Sequence, residues 1–451
     1  MAIYNVKDFG AVGDEKSLDT KAIQSTIDYC YENGGGSVLL ENGTFISGTL
    51  YFRSNVSLTI TAGAVLYASG NIGDYGDDTH YNRYVNEKDM DRCFIYGENC
   101  ENISISGEGI INGNAEAFPN DGSIYRPMMI RVLNCKNVRL SGLRLYNSAA
   151  WTTAFLDSSG IWCDGLDICN DKRYNGDGLD FDGCQDVYVS GCKILGTDDN
   201  LCLQASSKEK PVKNVHITNC SFTSICAGIR IGLKSIGDIS SVVISNCTFD
   251  RVWREGIKIE CTEGGNISDI TVTGIVMRNV TRPFFFLLNN RFEDIGSSVG
   301  LIEMPAIGTM GNILVSNVVI TDDEEMKNTH YRFKDDIMGR PSFNGIRIDA
   351  HENNPITTIL LRDIVYSFIG GVKLSEIPSI YPKVLDKRIH KEEVSSENYY
   401  PDWSRAAFLD VRNVKNLSLR GICLNAINPD ERPPYILEEC SIIAQEIDLL
   451  L

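Results

Sequence analysis

One short unit recurs along this chain: an alternating triplet rich in β-branched residues, a small or polar pair, and an apolar residue. It reads Ile103-Ser-Ile-Ser-Gly, Val138-Arg-Leu-Ser-Gly-Leu, Val187-Tyr-Val-Ser-Gly-Cys, Val215-His-Ile-Thr-Asn-Cys, Val242-Val-Ile-Ser-Asn-Cys, Ile270-Thr-Val-Thr-Gly-Ile, Ile313-Leu-Val-Ser-Asn-Val and Leu417-Ser-Leu-Arg-Gly-Ile. From Val187 to Val215, Val242 and Ile270 the interval is nearly constant. A period this short, without helical spacing and punctuated by Gly, Asn, Asp and Ser, specifies short strands divided by turns. Such units stack coil upon coil into a solenoid. A β-sandwich would not keep one hexapeptide at a near-constant interval. Leucine-rich repeats need a Leu pattern that is missing, and propeller blades need a longer repeat. The expected fold is all-β, a solenoid with inward ladders of Val, Ile and Cys. Asn219 and Asn246, one coil apart, are expected to bond amide to amide along the axis.

The ends depart from the repeat. Thr20-Lys-Ala-Ile-Gln-Ser-Thr-Ile-Asp-Tyr-Cys-Tyr-Glu-Asn-Gly carries apolar residues at helical spacing, a Thr or Asp N-cap and a Gly stop. This predicts a helix over about residues 18–34 that caps the first coil and covers its sheet edge. Residues 321–345 and 376–408 interrupt the repeat and hold Tyr381, His390, Tyr399, Tyr400 and Trp403, so they read as long loop insertions. No linker divides the chain, and residues 1–451 read as a single domain.

Composition narrows the function. Forty-two basic residues against 60 acidic ones give a net charge of −18, which argues against nucleic acid as a partner. No apolar run is long enough for a membrane span. The segment MAIYNVKDFGAVGDEKS has no basic stretch followed by an apolar core, so no export signal is expected. The 15 cysteines are odd in number and contain no CxxC. They read as reduced core thiols of a cytoplasmic protein without zinc. Five scattered histidines, His80, His216, His330, His351 and His390, do not make a metal site, although His330 and His351 fall in or near a loop that could reach a cleft. Cys226 reads as a core thiol rather than a nucleophile.

The chemistry concentrates in Asn175-Gly-Asp177-Gly-Leu-Asp180-Phe-Asp182 and in Gly196-Thr-Asp198-Asp199-Asn200-Leu-Cys-Leu-Gln204. The interval from Asp177 to Asp198 is near one coil length. With a coil rise of roughly 4.8 Å, Asp177 and the Asp198–Asp199 pair should meet on adjacent coils. Clustered carboxylates repel unless one is protonated or a cation is bound, and a raised acid beside an ionised one is what glycosidic cleavage uses. A calcium site built from Asp177, Asp180, Asp182, Asp198 and Asp199 is the competing reading.

The chain resembles glycoside hydrolase family 28, the polygalacturonases and related pectin-degrading enzymes. The likeness runs through Asp8-Phe-Gly-Ala-Val-Gly-Asp14, Gly34-Gly-Gly-Ser-Val-Leu-Leu, Gly63-Ala-Val-Leu, Gly107-Glu-Gly-Ile-Ile-Asn-Gly113, Asn147-Ser-Ala-Ala-Trp151 and the two Asp motifs. The resemblance implies a single-stranded right-handed parallel β-helix and an inverting hydrolysis. In it Asp198 is the general acid, and Asp177 and Asp199 hold and activate water. The family's Asn-Thr-Asp motif is similar to Asn175-Gly176-Asp177. Its Gly-His-Gly motif falls on Cys226-Ala227-Gly228, so the histidine is missing. Its Arg-Ile-Lys motif falls on Lys258-Ile259-Glu260, where Glu260 reverses the second charge, and the lysine that commonly follows the Asp pair is Gln204.

Arg230 and Lys258, one coil apart, are expected to stack as neighbours, as a substrate clamp or as charge compensation for the acids. Arg254 and Glu255 read as a turn pair. Trp151, Trp162 and Trp253 are candidates for stacking on sugar or for packing, and at least one of Phe284, Phe285 and Phe286 is core. The expected substrate contacts are Asn175, Arg230, Lys258, Gln204, Glu260 and Trp151, with no cofactor and no metal. The resulting expectation is an exo-acting hydrolase of pectic or related plant-polysaccharide oligosaccharides. The alternatives are a polysaccharide lyase or epimerase on the same scaffold, with Arg230 or Lys258 as base, and a non-catalytic carbohydrate-binding β-helix. The sugar, the linkage and the oligomeric state are left open by the sequence.

Overall fold

The computed structural model describes residues 2–79, 92–121, 125–290, 306–323, 345–376 and 404–450, together with the backbone of residues 330–333 and 336–339. These residues form two compact units, one of residues 1–202 and 213–221 and one of residues 203–212 and 222–451. Each is built from short parallel strands stacked coil on coil, as expected of a right-handed parallel β-helix.

In the first unit the recurring hexapeptide is in register. Ile103 pairs with Val138, Val138 with Ile161, Ile161 with Val187, and Val187 with Val215. Two positions further on, Ile105, Leu140, Cys163, Val189 and Ile217 form the parallel ladder. All ten side chains are buried, because alternate residues of a strand share a face. In the second unit Val242, Ile270, Ile313, Ile359, Leu417 and Ile442 follow one another in the same way. Ile161 and Ile359 are members that the repeat did not reveal, since Asp164 and Arg362 stand where most of the other units carry Ser or Thr.

Ladders also form outside the core. Asn55, Asn102 and Asn137 all take left-handed backbone, with φ between 55° and 62°, which Asn tolerates better than other side chains with a Cβ. Asn102 Nδ2 donates to Asn55 Oδ1 at 2.9 Å and Asn137 Nδ2 to Asn102 Oδ1 at 3.0 Å. Asn219 and Asn246 share that backbone conformation. A second ladder stacks rings face to face: Trp162 on Tyr188 at 5.7 Å and Tyr188 on His216 at 5.2 Å, with Arg139 over Trp162 at 5.4 Å. Both faces of Trp162 are therefore covered by protein, which removes it as a sugar platform.

The cap helix is Thr20–Glu32, and it buries Ile23, Thr26, Ile27 and Cys30. Asp19 occupies the N-cap position, but its carboxylate accepts from the amides of Val12 and Gly13 rather than from the helix. Thr20 Oγ1 accepts from the Gly48 amide at 2.8 Å. Of the expected insertion at 321–345, the backbone shows the antiparallel pair His330–Phe333 and Asp336–Gly339. His80, Tyr381, His390, Tyr399, Tyr400 and Trp403 lie outside the described residues. All fifteen cysteines are free thiols, eleven of them buried. Cys226 is only half-buried, and Arg254 Nη1 approaches its sulfur at 3.6 Å, so the expected core thiol is a polar-contact residue instead.

Ile161 has no exposed surface and sits between Val138 and Val187. Ile161→Ala should lower unfolding stability by about 2–4 kcal/mol, measured by urea denaturation, with the far-ultraviolet spectrum unchanged.

Candidate active site

The segment Gly176–Leu179 is fastened to the Thr197–Asn200 turn of the neighbouring coil. Gly176 N donates to Thr197 Oγ1 at 2.9 Å, Gly178 N to the Asp199 carbonyl at 3.1 Å, and Leu179 N to the Asn200 carbonyl at 2.9 Å. A Cβ on Gly178 would lie 2.2 Å from the Asn200 oxygen, so only glycine permits this approach. These bonds bring Asp177 beside Asp198 and Asp199, the arrangement that their spacing suggested. Asp177, Asp180, Asp182 and Asp199 are buried. Strand Leu179–Asp182 is thus buried on both faces, with Leu179 and Phe181 inward. Phe181 stacks on Phe155 at 5.0 Å.

Burial first, then the charges of Asp198, Asp180 and Asp199, push the Asp177 carboxyl well above the usual carboxylate range. Asp198 is differently housed: its Oδ1 accepts the Asp199 amide at 3.0 Å and its Oδ2 accepts Asn175 Nδ2 at 3.4 Å, bonds that favour the ionised form. One acid that holds its proton more tightly than usual beside another supplied with donors is a pair able to give and take a proton. Asn200, next in the chain, is fully buried, and neither polar atom of its side chain has a hydrogen-bond partner.

Sequence reasoning missed Arg126. Its guanidinium is wholly buried and donates to the carbonyls of Ala149 and Tyr174 and to Asn175 Oδ1, the last at 3.0 Å. A single arginine ahead of a strand has no periodic signal; only its neighbour Pro127 marks the position in sequence. Trp151, expected at the substrate, is half-buried against an apolar cluster that includes Cys93, Met128 and Leu156.

The remaining expected contacts lie in the second unit, where Arg230 and Lys258 are paired in register. Arg230 Nε and Nη2 both donate to Glu260 Oε2, at 3.0 and 2.9 Å. Lys258 Nζ lies 3.5 Å from Glu260 and 3.7 Å from Glu255. Arg282 donates to Glu255 at 2.7 Å, and Arg254 stands 3.6 Å from it. Glu260 is therefore neutralised within the protein, and Lys258, 2% exposed, is part of a buried ion network rather than an open clamp. Arg254 and Glu255 are not a turn pair: both belong to strand Thr248–Cys261, and Glu255 is fully buried. Burial alone would raise the Glu255 carboxyl, but Lys258, Arg254 and Arg282 outweigh it and hold the group at about 2. Phe284, Phe285 and Phe286 are all buried, with Phe285 against Lys258 and Arg282. Trp253 is buried, and so is Gln204, on strand Leu201–Ala205. His351 is half-buried, and its Nδ1 accepts the Asn353 amide.

The two buried acids should respond to pH in opposite ways. The raised Asp177 favours the fold fully below about pH 4 and loses that contribution as pH rises through its folded value. Asp177→Asn should therefore leave the thermal midpoint near wild type at pH 4 and raise it at pH 7, by roughly 1–3 °C, in a calorimetric comparison. For Glu255 the ionised form stabilises the fold above its ordinary value of 4.5, and this is lost as pH falls toward about 2. Glu255→Gln leaves buried cations without their partner and should cost about 3–5 kcal/mol at neutral pH, read by chemical denaturation.

Residues 52–299 match glycosyl hydrolases family 28. A probable polygalacturonase of Vitis vinifera is 27% identical over 312 residues, 62% of this chain and 62% of that protein. An endo-polygalacturonase of Pectobacterium parmentieri is 25% identical over 298 residues, 60% of this chain and 71% of its own. Among solved structures, the family 28 exopolygalacturonase of Yersinia enterocolitica superposes with a TM-score of 0.72 at 19% identity, covering 99% of this chain and 78% of that one. With more than half of its length matching the family and its fold shared with that enzyme, the chain belongs to glycosyl hydrolase family 28, a family of glycosidases.

Proposed function

We propose that this protein hydrolyses O-glycosidic bonds of pectic or related plant-polysaccharide oligosaccharides, with inversion at the anomeric carbon and release from a chain end. The observation that carries the reading is the triad of Asp177, Asp198 and Asp199, in which one carboxyl is driven toward protonation while another is supplied with donors. The triad holds its proton jointly, as coupled acids do: the proton resting on Asp177 passes to Asp198, which delivers it to the leaving oxygen, and Asp177, ionised by that transfer, holds and activates water with Asp199 on the opposite face of the sugar. Inversion requires room for that water between the acids, a separation of roughly 6.5–9.5 Å.

Relatives carrying polygalacturonase names support a pectic substrate, and an exo-poly-alpha-D-galacturonosidase of Dickeya chrysanthemi, 24% identical over 300 residues, supports end-wise action. Arg230, partly exposed and with its guanidinium fixed by Glu260, is the candidate substrate contact of the second unit. The reading includes a reducing, cytoplasmic location, which the odd number of cysteines in the chain favours. Imported oligosaccharides, rather than polymers, are then the substrate.

Defined pectic oligosaccharides should yield monomers or dimers from the first minutes, seen by anion-exchange chromatography, and proton NMR should show the inverted anomer first. A spread of intermediate lengths at early times would refute end-wise release. Asp198→Asn should lower kcat by roughly 10²–10⁴-fold with an unchanged fold, and hydrolysis at the wild-type rate in that variant would remove the mechanism.

A further inference from the structure

We infer that Arg126 is a positioning residue for the hydrolysis proposed above, fixing Asn175 so that its amide is presented to the carboxylate of Asp198. The inference rests on that reading and adds to it a residue outside the Asp motifs. Arg126 lies just ahead of strand Met128–Leu133, and its side chain has no exposed surface. Three acceptors converge on it from two other stretches of chain: the carbonyl of Ala149, the carbonyl of Tyr174 and Oδ1 of Asn175. Its guanidinium also lies 5.8 Å from the centre of the Tyr174 ring.

The consequence is a choice of amide orientation. An asparagine side chain has one acceptor oxygen and one donor nitrogen. With Oδ1 engaged by the permanently charged guanidinium, Nδ2 is the atom left facing Asp198 Oδ2, at 3.4 Å. A flipped amide would point its oxygen at the carboxylate and its NH₂ at Arg126, unfavourable at both ends. Because Arg126 also grips the Tyr174 carbonyl, it fixes the backbone as well as the side chain of the turn that leads into Asp177. Lysine cannot reproduce this, since a single ammonium lacks the planar fork that reaches several acceptors.

The test compares Arg126→Lys, Asn175→Ala and the double variant, each checked for wild-type circular dichroism. Each single variant should lower kcat roughly 10–100-fold, with KM changed much less. The limb of the pH profile that reports Asp198 should move to higher pH, because the carboxylate has lost a donor. Asp177, Asp180 and Asp199 stay in place in every variant. The double variant should be no slower than the slower single one. Losses that multiply, or an Arg126→Lys enzyme with wild-type kcat and pH profile, would overturn the proposal. Should Arg126→Lys fail to fold, Asn175→Ala decides alone, since a wild-type kcat and profile there breaks the chain from Arg126 to Asp198. The carboxyl carbon-13 titration of Asp198, assigned with Asp198→Asn, answers the same question without turnover. An inactive wild type would defeat the hydrolase reading, whereas an unmoved titration would defeat the role of Arg126.

Discussion

Within each unit, parallel backbone hydrogen bonds hold coils in register at a rise of roughly 4.8 Å, so any residue repeated at coil spacing is stacked on its own kind. For apolar residues this is favourable, and the ladder from Ile103 through Val138, Ile161 and Val187 to Val215 buries every one of its side chains. For amides it creates donor–acceptor chains, as in Asn55, Asn102 and Asn137. For flat rings it yields the stack of Trp162, Tyr188 and His216. For acids it is costly, and Asp177 beside Asp198 and Asp199 is where the same stacking works against stability.

That cost links fold to chemistry. A buried Asp177 cannot ionise cheaply beside Asp198, Asp180 and Asp199, while Asp198 receives an amide from the backbone and one from Asn175. The difference between the two environments, rather than the number of acids, makes the cluster usable as an acid and a base. The ion network of Arg230, Glu255, Lys258, Glu260 and Arg282 shows the opposite solution: opposite charges are paired as they are buried, and Glu255 stays ionised far below its ordinary range.

Much of this was legible before the fold was seen. Hexapeptide spacing gave the coil, helical periodicity gave the cap at Thr20–Glu32, and the interval between Asp177 and Asp198 pointed to neighbouring coils. The losses came where side chains reach across the chain in ways that spacing does not encode. Glu260 reads in sequence as a reversed charge at the substrate; in the structure Arg230 and Lys258 neutralise it. Trp162 reads in sequence as a candidate for stacking on sugar or for packing, and Arg139 and Tyr188 on its two faces decide for packing.

The sequence by itself determined what repeats: the solenoid, its inward ladders and the stacking of the acidic turns. Those follow from period and alternation, which are properties of the backbone. Only tertiary structure decided which way individual polar side chains point and who partners them, including the hold of Arg126 on Asn175. The physical reason is that a buried polar group is satisfied by whatever lies within about 3 Å in space, and Arg126 finds that partner on a distant stretch of the chain.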